Sequence, residues 1–173
     1  EKAEKYPLLL QWDERWGYVS YGDDSVIGLA GCGPTCLSMV LFSLTRDEGL
    51  TPDVLAKYAM DNGYYMFGTG TMWALFEEVP QNYGVISENL DKKDSELIFE
   101  ALEDGKMLVF SVGPGDFTAY GHFIVIYGID EDGMLLVNDP NCVYRSTQHW
   151  DYEEIKNQIK SIWSFEYNEN EIS

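Results

Sequence analysis

Histidine is the scarcest residue of chemical use in this 173-residue chain, with His122 and His149 the only two. Cysteine is nearly as rare, at Cys32, Cys36 and Cys142. Three cysteines are too few and too badly spaced for a disulfide framework or a structural zinc site. There is no C-x-x-C pair, and cysteines four apart on one helix seldom bridge well. Any pairing of thiol with imidazole must therefore use one of two histidines. Basic residues are also in short supply, 11 against 30 acidic ones, for a net charge of −19. That field repels phosphate backbones and argues against a nucleic-acid partner. No apolar run approaches the ~20 residues needed to cross a bilayer, so no membrane span is expected. Neither an initiator Met nor a signal-like start is present, and a trimmed mature form is expected.

What is present describes a globular protein. The chain is 45% hydrophobic and 14% aromatic, enough for one domain over residues 1–173 with a sizeable core. No repeat, linker or low-complexity segment interrupts it, apart from a short acidic tail. Residues 1–30 read as mostly irregular, with Trp12, Trp16, Tyr18 and Tyr21 free to pack on the body. Helices are predicted from about Pro34 to Thr45, and from a Thr51 cap to Asn62, which Gly63 ends. A third starts near Thr69–Thr71 and carries Trp73, Leu75 and Phe76 inward, and a fourth spans Ser95–Glu103. Beyond Gly105 the pattern changes to strands at Met107–Val112, His122–Ile129 and Met134–Asn138. A helix over Asp151–Lys160 and a strand over Ile162–Tyr167 follow. Helices first and an antiparallel sheet afterwards make an α+β fold.

One stretch carries chemistry. In Gly31-Cys32-Gly33-Pro34-Thr35-Cys36 a cysteine sits in a glycine turn, with Pro34 at a plausible first helical position and an apolar helix beyond it. That setting holds a sulfur at the positive end of a helix, where thiolate is favoured over thiol. The acidic pairs Asp13-Glu14 and Asp23-Asp24 flank the approach to Cys32. They could favour basic substrates, although solubility is their more general role.

Ninety residues further on, Gly121-His122 opens the strongest strand, and the turn Asp130-Glu131-Asp132-Gly133 returns the chain to Asn138-Asp139-Pro140. A four-residue loop would set Ile124 opposite Asp139 and leave His122 diagonal to it on one face. A three-residue loop would flip the register and offer Asn138 instead. Either could orient an imidazole, and Asp139 is the better candidate because it also stabilises imidazolium. Cys32 would attack, His122 would take and return the proton, and Asp139 would fix the ring. The Cys32 N–H can supply one oxyanion donor, and Gln11, in Leu9-Leu10-Gln11-Trp12-Asp13, is the best upstream amide for the other.

Gln11-Trp12-Asp13-Glu14-Arg15-Trp16-Gly17, Gly31-Cys32-Gly33-Pro34-Thr35, Gly121-His122-Phe123 and Asn138-Asp139-Pro140 occur in that order. Together, with Gly115-Asp116-Phe117-Thr118 leading into Gly121-His122, they resemble the cysteine peptidases of family thirty-nine. These are the bacteriocin-processing endopeptidase-like domains of the papain superfamily, and the likeness covers roughly residues 7–145. It implies a papain-like fold, with N-terminal helices packed on a C-terminal antiparallel sheet. It also implies Cys32 as nucleophile, His122 as base, Asp139 as orienter and Gln11 as oxyanion donor, with no cofactor and no metal. In transporter-fused members the glutamine lies only a few residues before the cysteine. Here twenty residues separate Gln11 from Cys32, as in the free-standing branch. The transporter-fused members cleave leader peptides after two glycines, a substrate not carried over to a sequence without membrane or nucleotide-binding segments.

The expected function is hydrolysis of a peptide bond in a peptide or protein substrate, through an acyl-enzyme. A cell-wall amidase or peptide transferase of the same superfamily is one alternative, and a non-catalytic peptide-binding module is another. A secreted or cell-surface bacterial location is expected from the acidic surface, the absent Met and the resemblance. Cys36 and Cys142 read as packing residues, and His149 as surface or capping. Gly68-Thr69-Gly70-Thr71 lacks the lysine of a phosphate loop, and Asp130-Glu131-Asp132-Gly133 lacks the spacing of a calcium loop.

Overall fold

The computed structural model describes residues 2–168. In chain order the elements are α1 (Lys2–Lys5), α2 (Ile27–Ala30), α3 (Cys32–Thr45), α4 (Pro52–Asp61), β1 (Tyr65–Met66), β2 (Gly70–Thr71), α5 (Ala74–Glu78) and β3 (Val85–Leu90). They continue with α6 (Ser95–Glu103), β4 (Met107–Val112), β5 (His122–Ile129), β6 (Leu135–Asn138), α7 (Val143–Thr147), β7 (His149–Trp150), α8 (Tyr152–Ile155) and β8 (Ile159–Tyr167). Six strands form one antiparallel sheet in the order β3-β8-β4-β5-β6-β7, and β1 and β2 form a separate small hairpin. No helix among the described residues is long and apolar enough to cross a membrane.

Both faces of the sheet are covered, which explains why β4 is buried from end to end and, Ser111 apart, reads as an apolar run and not as an alternation. Met107 and Val109 of β4, Phe123 and Val125 of β5, and Trp163 and Phe165 of β8 pack with α3, α4 and α5. Leu108 and Phe110, Ile124 and Ile126, and Ile159 and Ile162 turn to the other side and meet Ile98 and Leu102 of α6 and Ile155 of α8. The layers are therefore helices, sheet, helices. Trp163 anchors the first core: it is fully buried, with Phe76 stacked on it at 5.1 Å and Trp73 edge-on at 5.6 Å.

α3 begins two residues before the expected Pro34 start, so Cys32 is the first residue of the helix and not of the turn ahead of it. Pro34 still lies in the first turn, where its missing N–H removes no intrahelical bond. The flanking glycines are there for room. A Cβ on Gly31 would come within 2.6 Å of the Ile27 carbonyl oxygen, and one on Gly33 within 2.5 Å of Thr71 Oγ1.

Five points need correction. Residues 69–71 belong to the β1–β2 hairpin, where Gly68 and Gly70 have positive φ, and the helix starts only at Ala74. Leu75 and Phe76 point inward as expected, but Trp73 is 45% exposed. Val85–Leu90 is a strand whose polar Ser87-Glu88-Asn89 centre hid its edge-strand character. The Asp151–Lys160 helix shrinks to α8 and a 3-10 turn at Lys156–Gln158, because pairing with β4 draws Ile159 into β8. Thr51 does occupy the N-cap of α4, but its hydroxyl donates to Asp53 at 2.6 Å and caps nothing. The last five residues of the polar tail lie outside the described residues.

Truncating Trp163 to Ala should cost about 3–5 kcal/mol in urea unfolding, the range for a fully buried large aromatic. Gly33→Ala should cost about 1–3 kcal/mol by the same measurement, since overpacking must displace Thr71.

Candidate active site

Cys32, His122 and Asp139 come from three different parts of the chain and meet at one end of the sheet. His122 opens β5, directly opposite Val112 of β4. Its Nε2 donates to Asp139 Oδ1 at 2.7 Å, and both side chains are buried. Cys32 is near enough to raise the His122 pKa, and with Nε2 committed to Asp139 the nitrogen left for the sulfur is Nδ1. Burial by itself would pull the His122 pKa down. The hydrogen bond to Asp139 and the neighbouring Cys32 sulfur outweigh it and push the pKa up to about 9. Burial likewise works to raise Asp139, but hydrogen bonds from His122, Arg145 and the Asn141 N–H hold it below the usual carboxylate range.

The hairpin reaches this result by an unforeseen route. At the tip Ile129 pairs with Leu135 and the Asp130 N–H donates to the Met134 carbonyl, so the loop is the three-residue one, Glu131-Asp132-Gly133. That register alone would have presented Asn138. It shifts at Tyr127, which opposes no residue, and beyond the bulge Ile126 pairs with Val137 and Val125 with Asn138. The ladder ends there, and the same register carried one step further would set Ile124 opposite Asp139. The bulge cancels the loop, and the carboxylate returns to the side of His122. Asn138 instead donates its Nδ2–H to the Tyr6 carbonyl at 3.0 Å.

Gln11 is brought against α2, which leads into Cys32, but does not line the cleft. It is 2% exposed, its backbone N–H donates to the Pro140 carbonyl at 2.8 Å, and its Nε2 donates to the Gly28 carbonyl at 3.2 Å. Its Oε1 has no partner among the described residues. A primary amide has two N–H donors, so one remains after the bond to Gly28. Trp12 next to it donates its indole N–H to the Asn141 carbonyl at 3.1 Å. The N-terminal segment thus braces the Asp139-Pro140-Asn141 corner.

Cys32 and His122 open into a cleft of about 540 Å³. Gly68–Thr71 of the small hairpin wall one side, Leu29 and Trp73 add apolar surface, and Tyr120, Asp24 and Lys160 line the rest. Of the acidic pairs near Cys32, Asp24 reaches the cleft, where it accepts from the Tyr65 hydroxyl, while Asp13 pairs with Arg15 at 2.8 Å. The Tyr21 hydroxyl, close enough for its ionisation to feel Cys32, is bonded to Thr71 Oγ1 at 2.5 Å. Neither Tyr21 nor Arg145, which contacts Asp139, carried a sequence signal, since an aromatic in an irregular segment and an arginine six residues past Asp139 belong to no local pattern.

The remaining candidates behave as structure. Cys36 is fully buried, and burial pushes its thiol well up. Cys142 caps α7, its sulfur accepting the Arg145 N–H at 3.4 Å. His149 lies on the surface in β7, paired with Asp130 at 2.6 Å, and caps no helix. All three cysteines are free thiols.

The chain has counterparts among known proteins. Its fold is similar to the peptidase domain of Streptococcus ComA, a bifunctional ABC transporter involved in a quorum-sensing pathway. The TM-score is 0.60 at 18% identity, over 94% of this chain and 99% of that one. It is also similar to a Bacillus anthracis protein described as a C39-like peptidase, with a TM-score of 0.54 at 17% identity, over 92% and 94% of the two chains. No curated protein sequence matches. These likenesses show an α+β, papain-like fold. The model of the Peptidase_C39 like family matches residues 3–170, and the chain belongs to that family.

Proposed function

We propose that the chain is a cysteine peptidase in which Cys32, His122 and Asp139 form the triad and Gln11 contributes to the oxyanion hole. The observation that carries this reading is the buried His122 ring, bonded to Asp139 at 2.7 Å and sharing the cleft with Cys32, whose sulfur is near enough to raise the His122 pKa. An imidazole so placed holds a proton next to a sulfur and has it ready for a leaving group.

In the proposed cycle the Cys32 thiolate attacks the carbonyl carbon of the scissile peptide bond, and the carbonyl oxygen becomes an oxyanion. The Cys32 N–H, which as the first of α3 has no intrahelical partner, donates to that oxygen, and the second N–H of Gln11 is the proposed companion. The C–N bond then breaks as His122 passes its proton to the amine, leaving a thioester on Cys32. His122, now neutral, takes a proton from water as the water attacks the thioester. Collapse releases the carboxylic acid and restores thiolate and imidazolium. Asp139 keeps its negative charge throughout and holds the ring in register. A secreted or cell-surface site of action is part of the same proposal, motivated by the acidic composition and the resemblance to the free-standing branch.

Iodoacetamide labelling at neutral pH with peptide mapping should modify Cys32 first. Cys36 is inaccessible, and Cys142 has no imidazole among its hydrogen-bond partners. Labelling that is equal at Cys32 and Cys142 would remove Cys32 from its role. In a proteome-wide cleavage screen, His122→Ala should abolish the cleavages that Cys32→Ala abolishes, and His149→Ala should retain them. No cleavage by the wild type would favour a binding module.

Gln11→Ala should cost about 2.7–4 kcal/mol of transition-state stabilisation, seen mainly in kcat. A wild-type kcat would leave the second donor elsewhere.

For pH, the proposed active form needs His122 protonated. Its pKa is raised, so the imidazolium is intact below its ordinary value of 6.5 and is lost as pH rises through about 9. A profile of kcat/KM against pH should therefore fall on its alkaline side near that value. A plateau continuing well beyond it would show that His122 donates no proton in the limiting step.

A further inference from the structure

Asp139 has two carboxylate oxygens, and His122 accounts for only one of them. Oδ1 accepts from His122 Nε2 at 2.7 Å and from the Asn141 N–H at 2.8 Å, while Oδ2 accepts from Arg145 Nε at 2.7 Å. The Asp139 side chain is 0% exposed and that of Arg145 25%. Arg145 does not arrive there by a chance reach from the surface. Its N–H donates to the Cys142 sulfur, its carbonyl accepts from the Trp150 indole at 3.0 Å, and the hydroxyl of the following Ser146 accepts the Asp139 N–H at 2.8 Å. α7 is thus clamped onto the corner that carries Asp139.

The chemistry gives this contact a purpose. A carboxylate excluded from water is costly unless a cation and hydrogen bonds compensate it. His122 is such a cation only while protonated, and in the cycle proposed above it turns neutral when the leaving amine takes its proton. Among the described residues Arg145 is the other cationic side chain hydrogen-bonded to Asp139, and a guanidinium stays charged throughout. The other ionisable groups near the pair are Cys32 and Cys36 of α3, Tyr21 behind Cys32, and Tyr120, Asp24 and Lys160 on the cleft wall. None of them bonds to Asp139.

We propose that Arg145 is a positioning residue, which keeps Asp139 ionised and aimed at His122 during the part of the cycle in which the imidazole is neutral. This rests on His122 being the base. Arg145 also limits how strongly Asp139 pulls a proton onto the ring, because the two cations share one carboxylate. Removing the guanidinium leaves His122 as the one cation on that carboxylate, beside the neutral Asn141 N–H, so the pair should hold its proton to higher pH.

The test uses the full chain with 15N-labelled histidine. Only two imidazoles exist, and His149→Ala assigns them. In Arg145→Met the His122 titration midpoint should move up by about one pH unit, the lower end of the effect of a charge at contact distance. Arg145→Gln, which keeps a donor but no charge, should move it the same way, and Arg145→Lys should return it towards wild type. Running both neutral variants preserves the readout if one of them does not fold. An unchanged midpoint in a folded neutral variant, or the same shift in Arg145→Lys, would overturn the proposal. Iodoacetamide labelling of the wild type, run alongside, reads the peptidase proposal separately. If Cys32 is not labelled first, that proposal fails, while the His122 titration still reports on Arg145.

Discussion

The Asp139 carboxylate is a charge taken wholly out of water, and the groups needed to compensate it account for much of how this end of the molecule is built. His122 reaches it from β5, Arg145 from α7, and the Asn141 N–H from the same corner. The N-terminal segment then locks the corner from outside, through Gln11 to the Pro140 carbonyl, Trp12 to the Asn141 carbonyl and Asn138 to the Tyr6 carbonyl. Each of these bonds joins residues more than a hundred positions apart in the chain. Opening the corner would break several of them together and leave the carboxylate unpaired, so the Asp139 end of the proposed triad is also a structural joint.

The Cys32 end of the site is held differently, by packing. α3 is buried along most of its length between the sheet and α4, which leaves its first residue at the open end of the first core. Gly31 and Gly33 allow Ile27 and Thr71 to close in on either side of Cys32. The Thr71 contact also ties the β1–β2 hairpin, one wall of the cleft, to the helix that carries the sulfur. A rigid helix and a covered sheet thus fix the Cys32–His122 distance, while the cleft walls are made of short loops and hairpins that can differ without disturbing it.

Much of this was legible from local pattern. The run after Cys32 reads as a helix because it is apolar and free of breakers beyond its first turn. His122–Ile129 and Met107–Val112 read as strands because they are rich in β-branched and aromatic residues. Both orienting candidates, Asn138 and Asp139, could be named from the hairpin alone. What failed were segments whose state is imposed by neighbours: β3, whose polar centre pairs along β8, and Ile159, which leaves a helical pattern to pair with β4.

The sequence by itself determined the candidate chemistry, because two histidines and a single cysteine in a glycine-flanked helix start leave few combinations. It also determined the α+β class, because apolar periodicity is a property of neighbouring residues. Tertiary structure alone decided which oriented residue meets His122. That outcome depends on a bulge at Tyr127 undoing the register of a three-residue loop, and a bulge is stabilised by packing on both faces of a sheet, not by the residue that forms it. It alone brought Arg145 to Asp139 as well, since a salt bridge made by a five-residue helix folding back over a corner has no period, propensity or spacing from which it could be read.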